Sequence, residues 1–254
     1  MVTGCSRKAP PFGSEPTRSQ SSCTVLSSYM QQIKSQSGTE QIRTVFQCLD
    51  ARPDGLSPEK SDPNYMYLIK TVENYLQTEA SAKYSAPDLK KYFSPNLALF
   101  QASGTRILQY VPDPFLYGEV NSGNFAILQQ KANGKINTSI LYDASTKHIG
   151  SVFEEPDGLL VAAGTDQMVN PYFAFIDGFS VSDGKAGYVP VVPDYTDAHW
   201  KITPDNGWVR GISGKNTGSS IWSASASSIT VQSTDQNKIS LVYDKSKRKY
   251  SVSR

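Results

Sequence analysis

The chain is short of the residues that carry most enzyme chemistry. Its 254 residues include two histidines and three cysteines, little material for a nucleophile, metal or redox site. Charged residues make up 19%, and the formal net charge is +2. That balance excludes strong global steering toward nucleic acid or an anionic membrane surface. No apolar run approaches the roughly 18 residues that span a bilayer. Hydrophobic residues reach only 38%, with serine, threonine, glutamine and asparagine filling the gap. Against these shortages stand 14 tyrosines, 10 phenylalanines and 3 tryptophans. They supply enough large apolar groups to bury a core, so the chain is expected to fold. Its length suits one large domain or two small ones.

The first residues, Val2-Thr3-Gly4-Cys5, are an aliphatic residue, a small one, a glycine and a cysteine. This order resembles the lipobox of bacterial lipoproteins. The resemblance implies a lipid on Cys5 and a basic, apolar leader upstream of Met1. Residues 6–22 are rich in Pro, Ser, Gln and Thr without periodicity, the composition of a flexible tether.

Two helical patterns follow. Val25, Leu26, Tyr29, Met30 and Ile33 share one face of the first, and Ile42, Val45, Phe46 and Leu49 one face of the second. Ser37-Gly38-Thr39 breaks between them, with Thr39 as the expected N-cap. An antiparallel hairpin with that turn would bring Cys23 beside Cys48, close enough for a disulfide. Closing that loop would stabilise by roughly 3–4 kcal/mol in the chain-entropy model. The alternative is two buried free thiols. A third helix is expected after Asp62-Pro63, and a short one over 86–92, stopped by Pro95.

Beyond Pro95 the texture becomes that of strands. Short apolar runs at 97–101, 106–111, 115–120, 124–130, 136–142, 149–154, 159–163, 172–176, 179–182 and 188–192 alternate with turn residues. Further runs lie at 200–203, 208–212, 220–225, 228–233, 239–243 and 250–253. Asn133-Gly134, Asp157-Gly158, Asp177-Gly178, Asp183-Gly184 and Asn206-Gly207 are hairpin signals. Two segments about a hundred residues apart also resemble each other. Both run from Ile-containing strands (Ile127, Ile229) to a Tyr-Asp-x-Ser turn (Tyr142-Asp143, Tyr243-Asp244), and both read as three-strand meanders. The stretch Asp88-Leu89-Lys90-Lys91-Tyr92-Phe93-Ser94-Pro95 resembles the helical part of NTF2-like α+β domains. That resemblance, loose and limited to about 62–154, implies helices packed on a curved sheet and no particular activity. The expected fold is therefore α+β and strand-dominated. A tether (1–22) leads to a helical hairpin with an NTF2-like α+β domain (23–154), then a β-rich module (155–254).

Few constellations suggest chemistry. His199 has acidic neighbours in Asp194 and Asp197, but no nucleophile signature accompanies it, and a loop histidine is the plainer reading. The two aspartates match no calcium-loop spacing. Gly211–Gly218 lacks the order of a P-loop and reads as a hairpin loop. Lys245, Lys247, Arg248 and Lys249 read as a charged hairpin turn guarding an edge strand. Glu154 and Glu155 are adjacent on a strand and should point to opposite faces. Trp200, Trp208, Trp222, Tyr188 and Tyr195 would form a binding surface if exposed, and core if buried. No cofactor, metal or nucleic acid is expected. The resulting expectation is a non-enzymatic lipoprotein of the bacterial envelope, at the outer membrane and facing the periplasm. It would bind other envelope proteins as part of an outer-membrane or secretion assembly. A ligand- or glycan-binding module built on the C-terminal aromatics is the alternative.

Overall fold

The computed structural model describes residues 25–102, 104–112, 123–132, 134–145, 147–165, 171–179, 185–205, 208–214, 221–233 and 236–253. Within them the fold is α+β, strand-dominated and built from antiparallel sheets. Helices α1 (Leu26–Ser35), α2 (Gly38–Ala51), α3 (Pro63–Leu76) and α4 (Ala86–Tyr92) precede the strands. The first sheet holds β1 (Leu97–Ala102), β2 (Thr105–Tyr110), β3 (Asn124–Ala132) and β4 (Lys135–Ser145) in that order. The second holds β5 (His148–Glu154), β6 (Leu160–Thr165), β7 (Pro171–Phe179), β8 (Ala186–Tyr188), β9 (Tyr195–Thr196), β10 (Trp200–Asp205) and β11 (Trp208–Gly214). Its order is β5-β6-β7-β11-β10-β9, with β8 also on β7. The third is the meander β12 (Ile221–Ser225), β13 (Ser228–Gln232), β14 (Lys238–Asp244) and β15 (Lys249–Ser253).

Side-chain alternation turns these elements into stacked layers. Ile33, Phe46, Leu68 and Val72 of the helices meet Leu108, Tyr110, Phe125 and Ile127 on one face of the first sheet. On its other face, Ile107, Ala126 and Leu128 meet Leu160, Ala162, Tyr172, Ala174 and Ile176 of the second sheet. The intervening residues of those strands, Val161, Ala163, Phe173 and Phe175, face Ile229, Val231, Ile239 and Leu241 of the third. The second sheet is thus covered on both sides, and the runs 159–163 and 172–176 are apolar throughout, as buried strands require. Burying each large apolar side chain contributes roughly 1.5–3 kcal/mol.

Local signals set the helix starts. The Asp62 carboxylate accepts from the N–H groups of Asn64 and Tyr65, and Pro63 opens α3. Ser85 and Asp88 form a capping box on α4. Thr39 does not cap α2. Ser37 holds the cap position without a side-chain bond, Gly38 turns in at φ +58°, and the Thr39 hydroxyl lies 3.2 Å from that of Tyr75.

Several strand expectations change. Asp177-Gly178 is not a hairpin turn. Both lie within β7, which goes on to pair Phe179 with Ala186, and the register shift between Ile176 and Phe179 makes them a bulge. The run expected at 188–192 becomes β8, three residues that end at Tyr188. The first of the two similar segments is not a meander. β3 and β4 form a hairpin, but β5 leaves the first sheet and pairs with β6. The module boundary placed between 154 and 155 consequently falls in the turn of the β5–β6 hairpin. The strand expected at 115–120 and the Asp183-Gly184 and Asn206-Gly207 turns lie outside the described residues, as do Cys5 and Cys23. Cys48 is buried in α2 with a free thiol.

Candidate functional site

A cleft of about 580 Å³ opens between α3 and the edge of β4 that has no strand neighbour among the described residues. One wall is set by helical spacing. Lys70 and Glu73 on α3 and Gln77 at its C-cap recur at i, i+3 and i+7, so they share one side, while Leu68, Ile69, Val72 and Leu76 pack into the core. Glu73 is 6% exposed, and its carboxylate lies 2.5 Å from the Lys70 ammonium. Gln77 reaches across to β4, where its Nε2 donates to Thr138 Oγ1 at 2.9 Å. The floor is β4 itself, from Ile136 to Ile140. The opposite wall is Lys185 with Ala186 and Tyr188 of β8. Burial pushes the Tyr188 phenol well above its ordinary range, so it stays protonated.

This lining offers polar recognition: a carboxylate, ammonium groups, amides and hydroxyls around a strand edge. The buried carboxylates elsewhere already serve as structural hydrogen-bond acceptors. Both oxygens of Glu155, 2% exposed, accept from the Ser227 N–H at 2.9 and 2.8 Å, and Tyr250 donates its hydroxyl at 2.5 Å. Asp157 accepts from the Tyr243 hydroxyl at 2.8 Å and from Arg248 Nε at 2.7 Å. Burial works to raise the Asp157 pKa, but those two donors outweigh it and hold the carboxyl below its usual range. Burial and the Asp157 hydrogen bond push Tyr243 up to about 12. Arg248 also reaches Asp177 at 3.0 Å. The C-terminal basic turn therefore clasps the third sheet to the second, and Lys247 pairs with Asp244. Asp50 accepts from Ser94, Asn96 and Tyr110, tying the end of α2 to the first sheet.

Where their side chains are described, the residues singled out from sequence divide between core and cleft or surface. Trp200 is 3% exposed and belongs to the core between the second and third sheets. Trp222, partly buried, stands edge-on to Phe173 with ring centroids 5.8 Å apart. Trp208 pairs through its backbone with Ala174 and Asp205. Tyr195 donates to Asp197 at 2.8 Å, and Tyr188 lines the cleft. Among the described residues the His199 ring bonds no carboxylate. Asp197 Oδ1 accepts instead from the backbone N–H groups of His199 and Trp200, a local turn, and the ring's Nδ1 lies 3.3 Å from Asn237. These groups border a hollow of about 130 Å³. Among the described residues, no three His, Cys, Asp or Glu side chains are grouped to hold a metal.

Sequence reading missed Lys70, Glu73 and Gln77. Their signal was present as a polar stripe beside the apolar face of the helix. No protein-family model and no curated protein sequence matches the chain.

Proposed function

We propose that the protein is a non-catalytic, protein-binding component of the bacterial cell envelope. It is held by a lipid on Cys5 and works within an outer-membrane or secretion assembly. The observation that carries the protein-binding part is the cleft, which sets a polar wall against a strand edge with no second neighbour among the described residues. Strand edges of this kind are ready templates for another chain. The Val2-Thr3-Gly4-Cys5 motif supports the anchor. Helices α3 and α4 beside a four-stranded antiparallel sheet support an NTF2-like origin for that part of the chain. The glycan-binding alternative requires free C-terminal rings, and the burial of Trp200 argues against it.

The anchor is tested by expressing the chain with its native upstream segment and separating membrane from soluble fractions. The protein should sediment with the outer membrane, and Cys5→Ser should release it to the periplasm. Equal solubility of the two forms would remove the lipoprotein reading.

A further inference from the structure

We propose that the outer edge of β12 pairs with the same edge of a second copy of the chain. The two strands would run antiparallel about a two-fold axis at Ser223, joining two third sheets into one. This goes beyond the partner-binding reading above and does not rest on the cleft. Among the described residues β12 pairs only with β13, in a register that sets Trp222 opposite Val231, Ser223 opposite Thr230 and Ser225 opposite Ser228. The direction of its backbone groups follows from the next ladder. Ser228 stands opposite Val242, and the Tyr243 N–H donates to the Ser227 carbonyl at 3.0 Å. A bond between those flanking residues marks Ser228 and Val242 as a pair that exchanges no bonds itself, so Ser228 turns its N–H and C=O toward Ser225. Direction alternates along a strand. Ser223 therefore also bonds inward, and Trp222 and Ala224 present their N–H and C=O groups at the edge.

Other outer strands carry devices against such pairing. β15 begins at exposed Lys249, and its Tyr250 N–H is already given to the Val191 carbonyl at 2.7 Å, while β5 is bulged at Gly150. β12 has no charge, no proline and no register shift. Charge then selects the occupant. A two-fold contact sets each group beside its own copy, so a charged strand would meet like charge and a neutral one does not. An axis at Ser223 matches the whole strand and places each outward backbone group opposite another. On the core side it sets Trp222 against the copy's Ala224, large against small, and on the outer side it sets Ser223 against its own copy. Trp222 stands at the flank of the core between the second and third sheets. It is partly buried, with its ring centroid 5.8 Å from that of Phe173. A β-carbon on Gly150 of β5, an end strand of the second sheet, would lie 3.8 Å from the ring. The second copy would cover that flank.

A strand of 5 residues makes a small contact, so the dimer should be weak, with a dissociation constant of about 10–100 μM. Sedimentation equilibrium of the full chain should show a monomer–dimer equilibrium across that range. Ser223→Lys, at an exposed position, sets two ammonium groups across the axis and should abolish the dimer while leaving the thermal midpoint of the dilute chain unchanged. A cross-link tests the register itself. In a chain carrying Cys5→Ser and Cys23→Ser, with Cys48 buried, Ser223→Cys should give a disulfide dimer on mild oxidation. Residues opposite each other in this kind of pair lie about 4.5 Å apart at Cα, a span a disulfide bridges. Ser251→Cys, exposed on β15 at the far edge, should stay monomeric in the same background. A chain that remains monomeric at about 1 mM would overturn the proposal. So would a dimer that survives Ser223→Lys, or cross-linking at Ser251→Cys as fast as at Ser223→Cys.

Discussion

Two segments of this chain begin alike and end differently. Tyr142-Asp143-Ala144-Ser145 ends β4 and Tyr243-Asp244-Lys245-Ser246 begins at the end of β14, each the second strand of a β-hairpin. In the second, Asp244 Oδ1 accepts from the N–H and hydroxyl of Ser246 and from the N–H of Lys247, and the chain turns back to form β15. In the first, one local bond runs from the Lys147 N–H to Ser145 Oγ at 3.1 Å, and the other partners are distant in sequence. Lys60 lies 2.5 Å from Asp143, and Asn124 Nδ2 donates to the carbonyl of Lys147 at 2.8 Å. Gln109, on β2, then takes the backbone of Ile149 on both sides, accepting from its N–H at 2.5 Å and donating to its carbonyl at 3.1 Å. β5 is thereby fastened across the back of the first sheet and joins the second. The turn signal is real in both segments, and tertiary hydrogen bonding decides whether it is used.

The largest effect should come from removing that fastening. Gln109 is 1% exposed, and its Oε1 also accepts the Tyr142 hydroxyl at 2.5 Å. Gln109→Leu keeps most of the volume but strands an N–H, a carbonyl and a phenol in a dry layer. Each unpaired buried group costs about 1–3 kcal/mol, so a loss of at least about 3 kcal/mol is expected. It should appear as a lower denaturant midpoint, with faster exchange of the Ile149 amide. A loss below about 1 kcal/mol would mean that apolar packing alone directs β5.

The comparison also marks what the sequence could reveal. Period and punctuation were legible where the decision is local: the Asp62-Pro63 start of α3, the short helix before Pro95, and the doubly apolar runs of β6 and β7. They misled where a distant group competes, as at Asp177-Gly178, where continued pairing of Phe179 with Ala186 absorbs the turn signal as a bulge. The cleft shows both. Lys70, Glu73 and Gln77 could be read as one helical stripe, but nothing local says that β4 would be a sheet edge facing it. That follows from β5 leaving for the second sheet, which Gln109 helps to fix.

A smaller effect is expected at the position where the first segment departs from its twin. Ala144 has φ +40°, a left-handed conformation that a β-carbon disfavours. The strain persists because Ala144 packs against the helix-side core and β4 must run on past Asp143. Ala144→Gly should relieve it and lose one methyl contact, with a net gain of about 0.5 kcal/mol. Arg248, at φ +49° in the second segment, should respond oppositely, because Arg248→Gly also removes its bonds to Asp157 and Asp177. Equation of thermal midpoints for the two variants would show that backbone strain, and not side-chain partners, dominates at both turns.

The smallest effect belongs to the turn whose aspartate is held by local hydrogen bonds, and pH exposes it. Hydrogen bonds from the Ser246 hydroxyl and Lys247, reinforced by the backbone N–H groups of both, hold the Asp244 carboxyl down at about 2. In the unfolded chain an aspartate titrates near about 3.9. Because the folded value is the lower one, the carboxylate's contribution is complete above about pH 4. As pH falls, the unfolded state takes up the proton first, and the contribution drains away between about pH 4 and pH 2. Asp244→Asn removes the charge but keeps an oxygen for the turn. Its stability deficit against the parent chain should therefore be constant from pH 7 to pH 5 and shrink steadily below pH 4, as read from denaturant midpoints across that range. The deficit should stay small throughout, since the group sits at the surface and water competes for its partners. A deficit that grows on acidification would reverse the sign of this linkage and show that Asp244 is not the group that organises the β14–β15 turn.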